Sequence, residues 1–534
     1  MAMLIRKATE NDAVLWSGLL KEVLGDDPAA EQVYDLNRAA SQLTGPQVEE
    51  TWVAEVNGKL RGSISILGSA ARNENPVANL GRYAAVPDSY LDGSIEALLS
   101  GISTVCVERG QIAVIRVPAS DLTQQKLLEK LGFVCVGFQP LKHLCLVREG
   151  MLFYVRIGER DLTERIPLSQ PLVQTTELAA AVLKNLRLAN PELLLNGLTG
   201  YPLQTDLTIE VSTPEDFDTA KVQAQSCDPP VEISGSFNRG LGFLRVENGT
   251  PLQALLGQRA GATVAGMTFY FDEHDKCVRL VDAFATDELS TGALLQAVVR
   301  LAQEQFSAVY VEVDFLIDAP RALKTAEQLG FVPVAYLPGF YHRHGCQVDL
   351  VKMVKLNAAY SLEKVNLTSQ ARAIVDIVNR NFQDQKVGVA VINLLRALPI
   401  FHGLGDGELG KMARLFTQKL YRAGEVVFNK GDSSSEAYVV MRGQVDIFLE
   451  ADEKAVASIP SGAIIGEQAF LDGSPRTAFA VATQPSILLV IQRPAFNLTV
   501  ETEPHLGMVI MRNIAVEVSN KLRKADAVLS APKP

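Results

Sequence analysis

The chain has 534 residues, more than a single hydrophobic core organises, so roughly three or four domains are expected. With 47% hydrophobic and 21% charged residues it is globular rather than disordered, and a net charge of -11 disfavours a protein built to coat nucleic acid or anionic membrane. The six cysteines, Cys106, Cys135, Cys145, Cys227, Cys277 and Cys346, are scattered without a CxxC pair, so they read as reduced core residues and not as a zinc site or disulfide framework.

The opening "MLIRKATENDA" predicts a short strand followed by a helix capped at Thr9, with Asp12 in the first turn. Its mixed charge is unlike a secretory h-region, and no run of 18 uninterrupted apolar residues occurs, so a cytoplasmic protein is expected. Further on, "QIAVIRVPA" reads as a buried strand and "SDLTQQKLLEKLGF" as a capped helix that ends at a left-handed Gly132. Leucines at helical spacing over 172–198 predict a helical connector.

From Leu207 the pattern begins again. "LTIEVSTPEDF" repeats the Thr and acid of the opening at Thr213 and Asp216, an offset of 204 residues. The same offset relates "LRGSISI" to "VAGMTFY", superposing Gly62 on Gly266, and "TAEQLGFVPVAY" echoes "LLEKLGFVCVGF". Three echoes in one order predict a duplicated mixed α/β domain. On the central strands of the second copy stand Asp282, Glu312 and Asp314, candidates for a general base, with a solvated or salt-bridged carboxylate as the alternative for each. His342 and His344 share a strand face but lack a third ligand, so no metal site is expected.

After Lys355 the sequence is helical again, and from Phe401 it turns into short strands separated by glycines, the pattern of a small β-barrel or jelly roll. Within that region "GEQAFLDGSPRTA" places Glu467 and Arg476 nine positions apart. A guanidinium suits a phosphodiester, a carboxylate suits a ribose hydroxyl, and Gly466 lets backbone approach closely. A long final helix carries Met508, Met511, Ala515, Val518, Leu522 and Ala525 on one stripe, and Leu506, Ile510 and Ile514 on another. One stripe can pack on the barrel and the other on a second copy; the alternative is that both pack within the chain.

Through "AGEVVFNKGD", "YVVMRGQVDIF", "SGAIIGEQAFLDGSPRTA" and the closing helix, the C-terminal segment resembles the cyclic-nucleotide-binding domain family. The resemblance implies Glu467 on the ribose 2′-hydroxyl and Arg476 on the cyclic phosphate of cAMP or cGMP, with Gly466, Gln468, Ala469 and Thr477 lining the site. Gln468 departs from the apolar residue common there. A hydroxyl at Thr477 serves the phosphate in the reading adopted, which favours cAMP. Only "KADAVLSAPKP" is left at the end of the final helix, so no DNA-reading helix-turn-helix is expected.

The two α/β copies resemble the GNAT superfamily of acyl-CoA-dependent N-acyltransferases, through "IRKATENDA" near the start and "LLEKLGFVCVGF" near the end. Such enzymes seat the CoA pyrophosphate on a glycine-rich helix start. In the first copy that stretch is "VPDSYLDGSIEALLS", with Gly93 retained, Tyr90 for the basic or amide residue and Ile95 for the second small one. In the second, "FATDELSTGALLQAV" keeps Gly292 and Ala293 out of step. The tyrosine that often protonates the thiolate falls at Leu128 and Ala326, which donate no proton.

The expected fold class is therefore multidomain α/β plus β. It comprises a degenerate GNAT-like domain at 1–150, a helical connector at 151–206, a second GNAT-like domain at 207–357, a helical linker at 358–397 and a cyclic-nucleotide-binding domain with its terminal helix at 398–534. The resemblances imply a cyclic-nucleotide-regulated N-acyltransferase using acetyl-CoA or another acyl-CoA on an amine or protein lysine. The alternative is a non-catalytic, nucleotide-responsive scaffold or adaptor. No nucleic acid or membrane partner is expected, and a homodimer through the last helix is.

Overall fold

The computed structural model describes residues 3–529 apart from 26–38, 44–47, 68–76, 145–147, 159–161, 166–172, 189–199, 226–251, 359–364, 451–453 and a few single or paired positions. The chain forms two compact units, 1–382 and 383–534.

In the first unit the duplication is visible strand by strand. The first copy comprises β1 (Met3–Lys7), β2 (Val48–Val56), β3 (Lys59–Leu67), β4 (Val77–Ala85), β5 (Ile112–Pro118), β6 (Val134–Leu144) and β7 (Arg148–Arg156). The second comprises β8 (Thr208–Ser212), β9 (Gln253–Arg259), β10 (Ala262–Asp272), β11 (Cys277–Ala285), β12 (Tyr310–Leu316), β13 (Val332–Arg343) and β14 (Cys346–Leu356). These 14 described strands make one sheet in the order β1-β2-β3-β4-β5-β7-β6-β13-β14-β12-β11-β10-β9-β8. The second half of that order is the first half reversed, so the copies meet edge to edge like the subunits of a two-fold dimer.

Local signals set equivalent elements in both copies. Helix α1 (Ala13–Leu24) follows Thr9, whose amide donates to Asp12 Oδ2 at 2.8 Å. At the matching turn the Asp216 amide donates to Thr213 Oγ1 at 3.1 Å. After β4 comes α2 (Ser94–Glu108), and after β5 comes α3 (Leu122–Lys130), whose N-cap Asp121 accepts from the Gln124 amide at 2.9 Å. The second copy has α5 (Pro214–Gln225) after β8, α6 (Ser290–Glu304) after β11 and α7 (Pro320–Gln328) after β12; α4 (Val173–Asn185) belongs to the connector. Helices α3 and α7 end alike: Gly132 and Gly330 adopt φ +82° and +95°, and Phe133 and Phe331 each donate back to the helix at 2.9 Å, to Leu128 O and Ala326 O.

The halves join where β6 and β13 touch at Gly137 and Ala335. A Cβ on Gly137 would lie 2.2 Å from Ala335 Cβ, so this close backbone approach requires a glycine. The connectors are exchanged across the join. Tyr201, which follows the first copy, donates its amide to Thr325 Oγ1 on α7 at 2.7 Å. Beyond the second copy, Thr368 donates its amide to Gln125 Oε1 on α3 at 3.2 Å, and Gln370 Oε1 in α8 (Ser369–Ala397) accepts from the Cys135 amide at 2.8 Å. Two expectations change here. The α/β copies share one sheet, and β7 runs past residue 150 because the apolar "MLFYVR" completes the β6–β7 hairpin.

The second unit is a two-sheet β-roll. One sheet has the order β15-β22-β17-β20, with β15 (Phe416–Tyr421), β17 (Glu436–Arg442), β20 (Ile464–Ile465) and β22 (Ser486–Gln492). The other has β16-β21-β18-β19, with β16 (Val426–Phe428), β18 (Gln444–Phe448), β19 (Ala457–Pro460) and β21 (Phe479–Ala482). Helices α9 (Asp406–Ala413), α10 (Glu467–Asp472), α11 (Arg493–Thr502) and α12 (Pro504–Leu529) complete it. In α12, Leu506 and Ile510 are buried against the roll while Met508 and Met511 are 64% and 44% exposed; the side chains of Ile514, Val518, Leu522 and Ala525 lie outside the described residues.

Candidate functional site

The short β20 delivers the chain to Gly466, which takes φ +76° as the N-cap of α10. Glu467 opens that helix, half-buried, and Ala469 is buried beneath it. The chain returns through Pro475 to Arg476, whose backbone is clamped by two bonds: its amide to Asp432 O at 2.9 Å and Gly431 N to its carbonyl at 2.8 Å.

Arg476 is 3% exposed. Its Nε donates to Ser434 Oγ at 2.9 Å, Nη1 to Gly466 O at 2.8 Å and Nη2 to Glu436 O. The guanidinium stacks 4.3 Å from the Phe428 ring centroid and 5.8 Å from that of Tyr438. Burial lowers its pKa, against the opposing influence of Tyr438 and Glu436. Three of the five N–H groups are spent on these partners, so the fork is oriented before any ligand arrives and keeps two donors for an anion. Gly466 is also a steric requirement, since a Cβ there would lie 2.3 Å from Arg476 Nη1.

A cavity of ≈ 200 Å³ gathers Gly466, Glu467, Gln468, Ala469, Arg476 and Thr477 on one side. Phe428, Ile447, Ile459 and Ile464 form its apolar side. Gln468 and Thr477 are exposed at its rim. A site with a carboxylate, a caged guanidinium and an apolar wall suits a compact ligand that combines hydroxyls, an anion and a flat ring. Sequence reasoning missed Ser434 and Glu436, which hold the guanidinium, and the isoleucine wall. Glu436 accepts from Tyr438 and Gln492; burial works to raise its pKa, and these bonds leave it lowered.

The three acids proposed for the second α/β copy are dispersed. Asp282 on β11 is 32% exposed at its side chain and paired with Lys221 of α5; burial raises its pKa and Lys221 opposes the rise. Glu312 is fully buried. It accepts from Gln139 Nε2 at 2.7 Å and lies 3.1 Å from Lys142 Nζ, both of the first copy, and 3.3 Å from Arg279 Nε. Burial pushes its pKa up, but Lys142 and Arg279 overcome this and hold the carboxyl well below the usual range. Asp314, 2% exposed, pairs with Lys352 and lies 3.6 Å from Arg279 Nη2. Neither buried acid is placed to deprotonate an amine: each is enclosed and paired with a cation. Glu312 ties the copies together instead, through Gln139 and Lys142, while Asp314 is paired within the second copy.

Gly292 and Ala293 do begin a helix, α6, but both are buried. A Cβ on Gly292 would lie 2.3 Å from Pro202 O, so the backbone that approaches this glycine belongs to the chain's own connector. In the first copy Ile95 turns inward, with Cδ1 2.1 Å from where a Cβ on Gly62 would stand, and does not cover the helix start. Tyr90 bonds Tyr83 through their hydroxyls at 2.7 Å. His344 lies outside the described residues, and among the described residues no cluster suited to a metal ion occurs.

Residues 418–503 match the family model of the cyclic nucleotide-binding domain. The chain is 30% identical over 138 residues to the cyclic AMP receptor protein of Thermus thermophilus, covering 25% of this chain and 62% of that one. It is 30% identical over 101 residues to a cAMP-dependent protein kinase regulatory subunit of Blastocladiella emersonii, covering 18% and 25%. Among solved structures, the Thermus thermophilus catabolite activator protein aligns at 31% identity over 24% of this chain and 61% of that one, with a TM-score of 0.23. The chain thus spans less than two thirds of the length of these relatives. What the match and the cavity identify is a part of the molecule: at residues 418–503 the chain carries a cyclic nucleotide-binding domain.

Proposed function

We propose that this chain is a cyclic-nucleotide-responsive protein in which the C-terminal domain binds cAMP and the duplicated α/β unit delivers the output. The observation that carries the reading is Arg476, buried and held by three donated bonds in the same cavity as Glu467. Arg476 takes the cyclic phosphate with its remaining N–H groups, Glu467 accepts from the ribose 2′-hydroxyl, and the base lies against the isoleucine wall. The relatives that match at 30% identity are named for cAMP, whereas cGMP-dependent protein kinases match at 24% and 25%, and on that difference cAMP is the ligand proposed. Calorimetry of the full chain with cAMP and cGMP tests this. Arg476→Ala should weaken binding by roughly ten- to a hundred-fold, the effect of losing a charge-assisted bond, and absence of heat with both nucleotides on the wild type would end the reading.

For the α/β unit, the resemblance supports an acyl-CoA-dependent N-acyltransferase acting on an amine or protein lysine. Asp282 is then the remaining candidate base, because it keeps solvent access. The second reading, a non-catalytic adaptor built from the same fold, is favoured by the ion-paired burial of Glu312 and Asp314. Acetyl transfer to a lysine-rich protein substrate, followed by mass spectrometry, separates the two. The proposal includes a cytoplasmic homodimer formed through the exposed face of α12. Among the described residues, no helix is long and apolar enough to cross a membrane.

A further inference from the structure

An open α/β sheet takes its ligands in the crevice beyond the carboxyl ends of its parallel strands, where the helices that follow present free N–H groups. In the second copy β11 and β12 pair in parallel only over 277–279 and 310–312, then continue separately toward α6 and α7. Between the first turn of α6 and helix α7 lies the connector. Pro202 O and Tyr201 Cβ stand 2.3 and 3.0 Å from the position of a Cβ on Gly292, the third residue of α6. The Tyr201 amide is bonded to Thr325 Oγ1 at 2.7 Å, and its ring, 8% exposed with the rest of the side chain, lies 4.4 Å from the Arg321 guanidinium. A Cβ on Gly200 would meet Gln328 Oε1 at 2.5 Å. Three consecutive connector residues therefore bridge α6 and α7.

The first copy treats the equivalent place differently. Glu96, third in α2, and Lys130, last in α3, occupy the positions of Gly292 and Gln328 and meet directly, with Lys130 Nζ 2.6 Å from Glu96 Oε1. There the helices span the crevice by an ion pair at the surface. In the second copy both charges are absent, the first is replaced by a glycine, and backbone from the connector occupies the space.

We propose that residues 200–202 are an internal strap seated in the acyl-CoA crevice of the second copy, so that a CoA phosphate reaches α6 only when the strap leaves. The inference rests on the acyl-CoA reading of the α/β unit given above. A carbonyl oxygen, Pro202 O, already lies against Gly292 in the first turn of the helix. With the strap seated, the apparent affinity for acyl-CoA is reduced by the fraction of molecules in which it has left.

The test uses the full chain with Tyr201→Ala, and Thr325→Val as the milder variant that removes the bond to the Tyr201 amide together with the hydroxyl's own bond to Arg321 O within α7. Hydrogen exchange should show the 200–203 segment protected in the wild type and released in Thr325→Val. Acetyl-CoA titrated by calorimetry should bind both variants more tightly, by on the order of tenfold for Tyr201→Ala. Equal affinity in all three proteins overturns the strap while leaving acyl-CoA binding intact. Absence of heat in all three overturns the acyl-CoA reading and the strap's role with it. Prompt exchange at 200–203 in the wild type overturns the strap whatever acetyl-CoA does.

Discussion

Gly466→Ala should damage nucleotide binding more than its size implies, and a second glycine provides the control. Gly466 adopts φ +76° and Gly462, on the turn before β20, adopts φ +87°. A non-glycine residue in this region costs about 1–2 kcal/mol, so both alanine variants should lose that much stability. They differ in their surroundings. A Cβ on Gly462 meets nothing within 4 Å, whereas a Cβ on Gly466 would stand 2.3 Å from Arg476 Nη1. The guanidinium must swing away, giving up its bond to Gly466 O and its alignment with an incoming anion. Loss of one charge-assisted bond, about 1.5–3 kcal/mol, corresponds to roughly ten- to a hundred-fold weaker cAMP binding. Urea titration measures the stability cost and calorimetry the affinity. The reasoning fails if Gly466→Ala binds cAMP as the wild type does, or if Gly462→Ala loses as much affinity as Gly466→Ala.

Three other outcomes are expected. Glu312→Gln takes the buried counter-charge from Lys142 and leaves Arg279 with Asp314 alone, and should cost about 3–5 kcal/mol in denaturant unfolding; a shift below 1 kcal/mol would show that the carboxylate is dispensable at the join. Asp12, bonded to Arg6, has its pKa lowered from 3.8 to about 2. Its contribution to stability is therefore present above about pH 4 and lost as the pH falls toward 2, so Asp12→Asn should flatten the acid-unfolding curve in that window and leave its shape at pH 6–8 unchanged. Met511→Asp, on the exposed face of α12, should convert a dimer to a folded monomer in light scattering; a wild type that is already monomeric refutes the dimer.

What was legible in the sequence was local. The Thr-x-x-Asp caps and the Leu-Gly-Phe helix ends recur because each is satisfied within a few residues: in both copies the Thr hydroxyl donates to the Asp carboxylate and the Phe amide returns to the helix. The cassette was legible for the same reason: Gly466, Glu467 and Arg476 lie within eleven consecutive positions, and the cavity gathers them. The join between the copies was not. It brings Gly137 against Ala335, about 200 residues apart, and no motif marks that approach. For Glu312 and Asp314 the ion-paired alternative is the arrangement seen, but the depth of their burial was not legible. "YVEVDFL" has the period of a half-exposed strand, yet every residue of it is buried, and the cations that permit this include Lys142, far away in the first copy.

Gly292 and Gly466 show why a small residue at a helix start cannot be assigned a role by type alone. Each lets another group come nearer than a Cβ would permit, and at both positions that group is already present within the same chain. At Gly466 it is a guanidinium, a cation with donors to spare, so the close contact orients the group that an anion needs and leaves the cavity beside it open. At Gly292 it is the backbone carbonyl of Pro202, an acceptor that takes up the space and offers an anion nothing. The same glycine chemistry thus prepares a site in one unit and, on the strap proposal, fills one in the other. Binding to the C-terminal domain needs no prior rearrangement of Arg476, whereas on that proposal acyl-CoA binding to the second α/β copy has to include the free energy of unseating Tyr201 from Thr325. On this ground the two units should differ in ligand response even where their sequence motifs look equally complete.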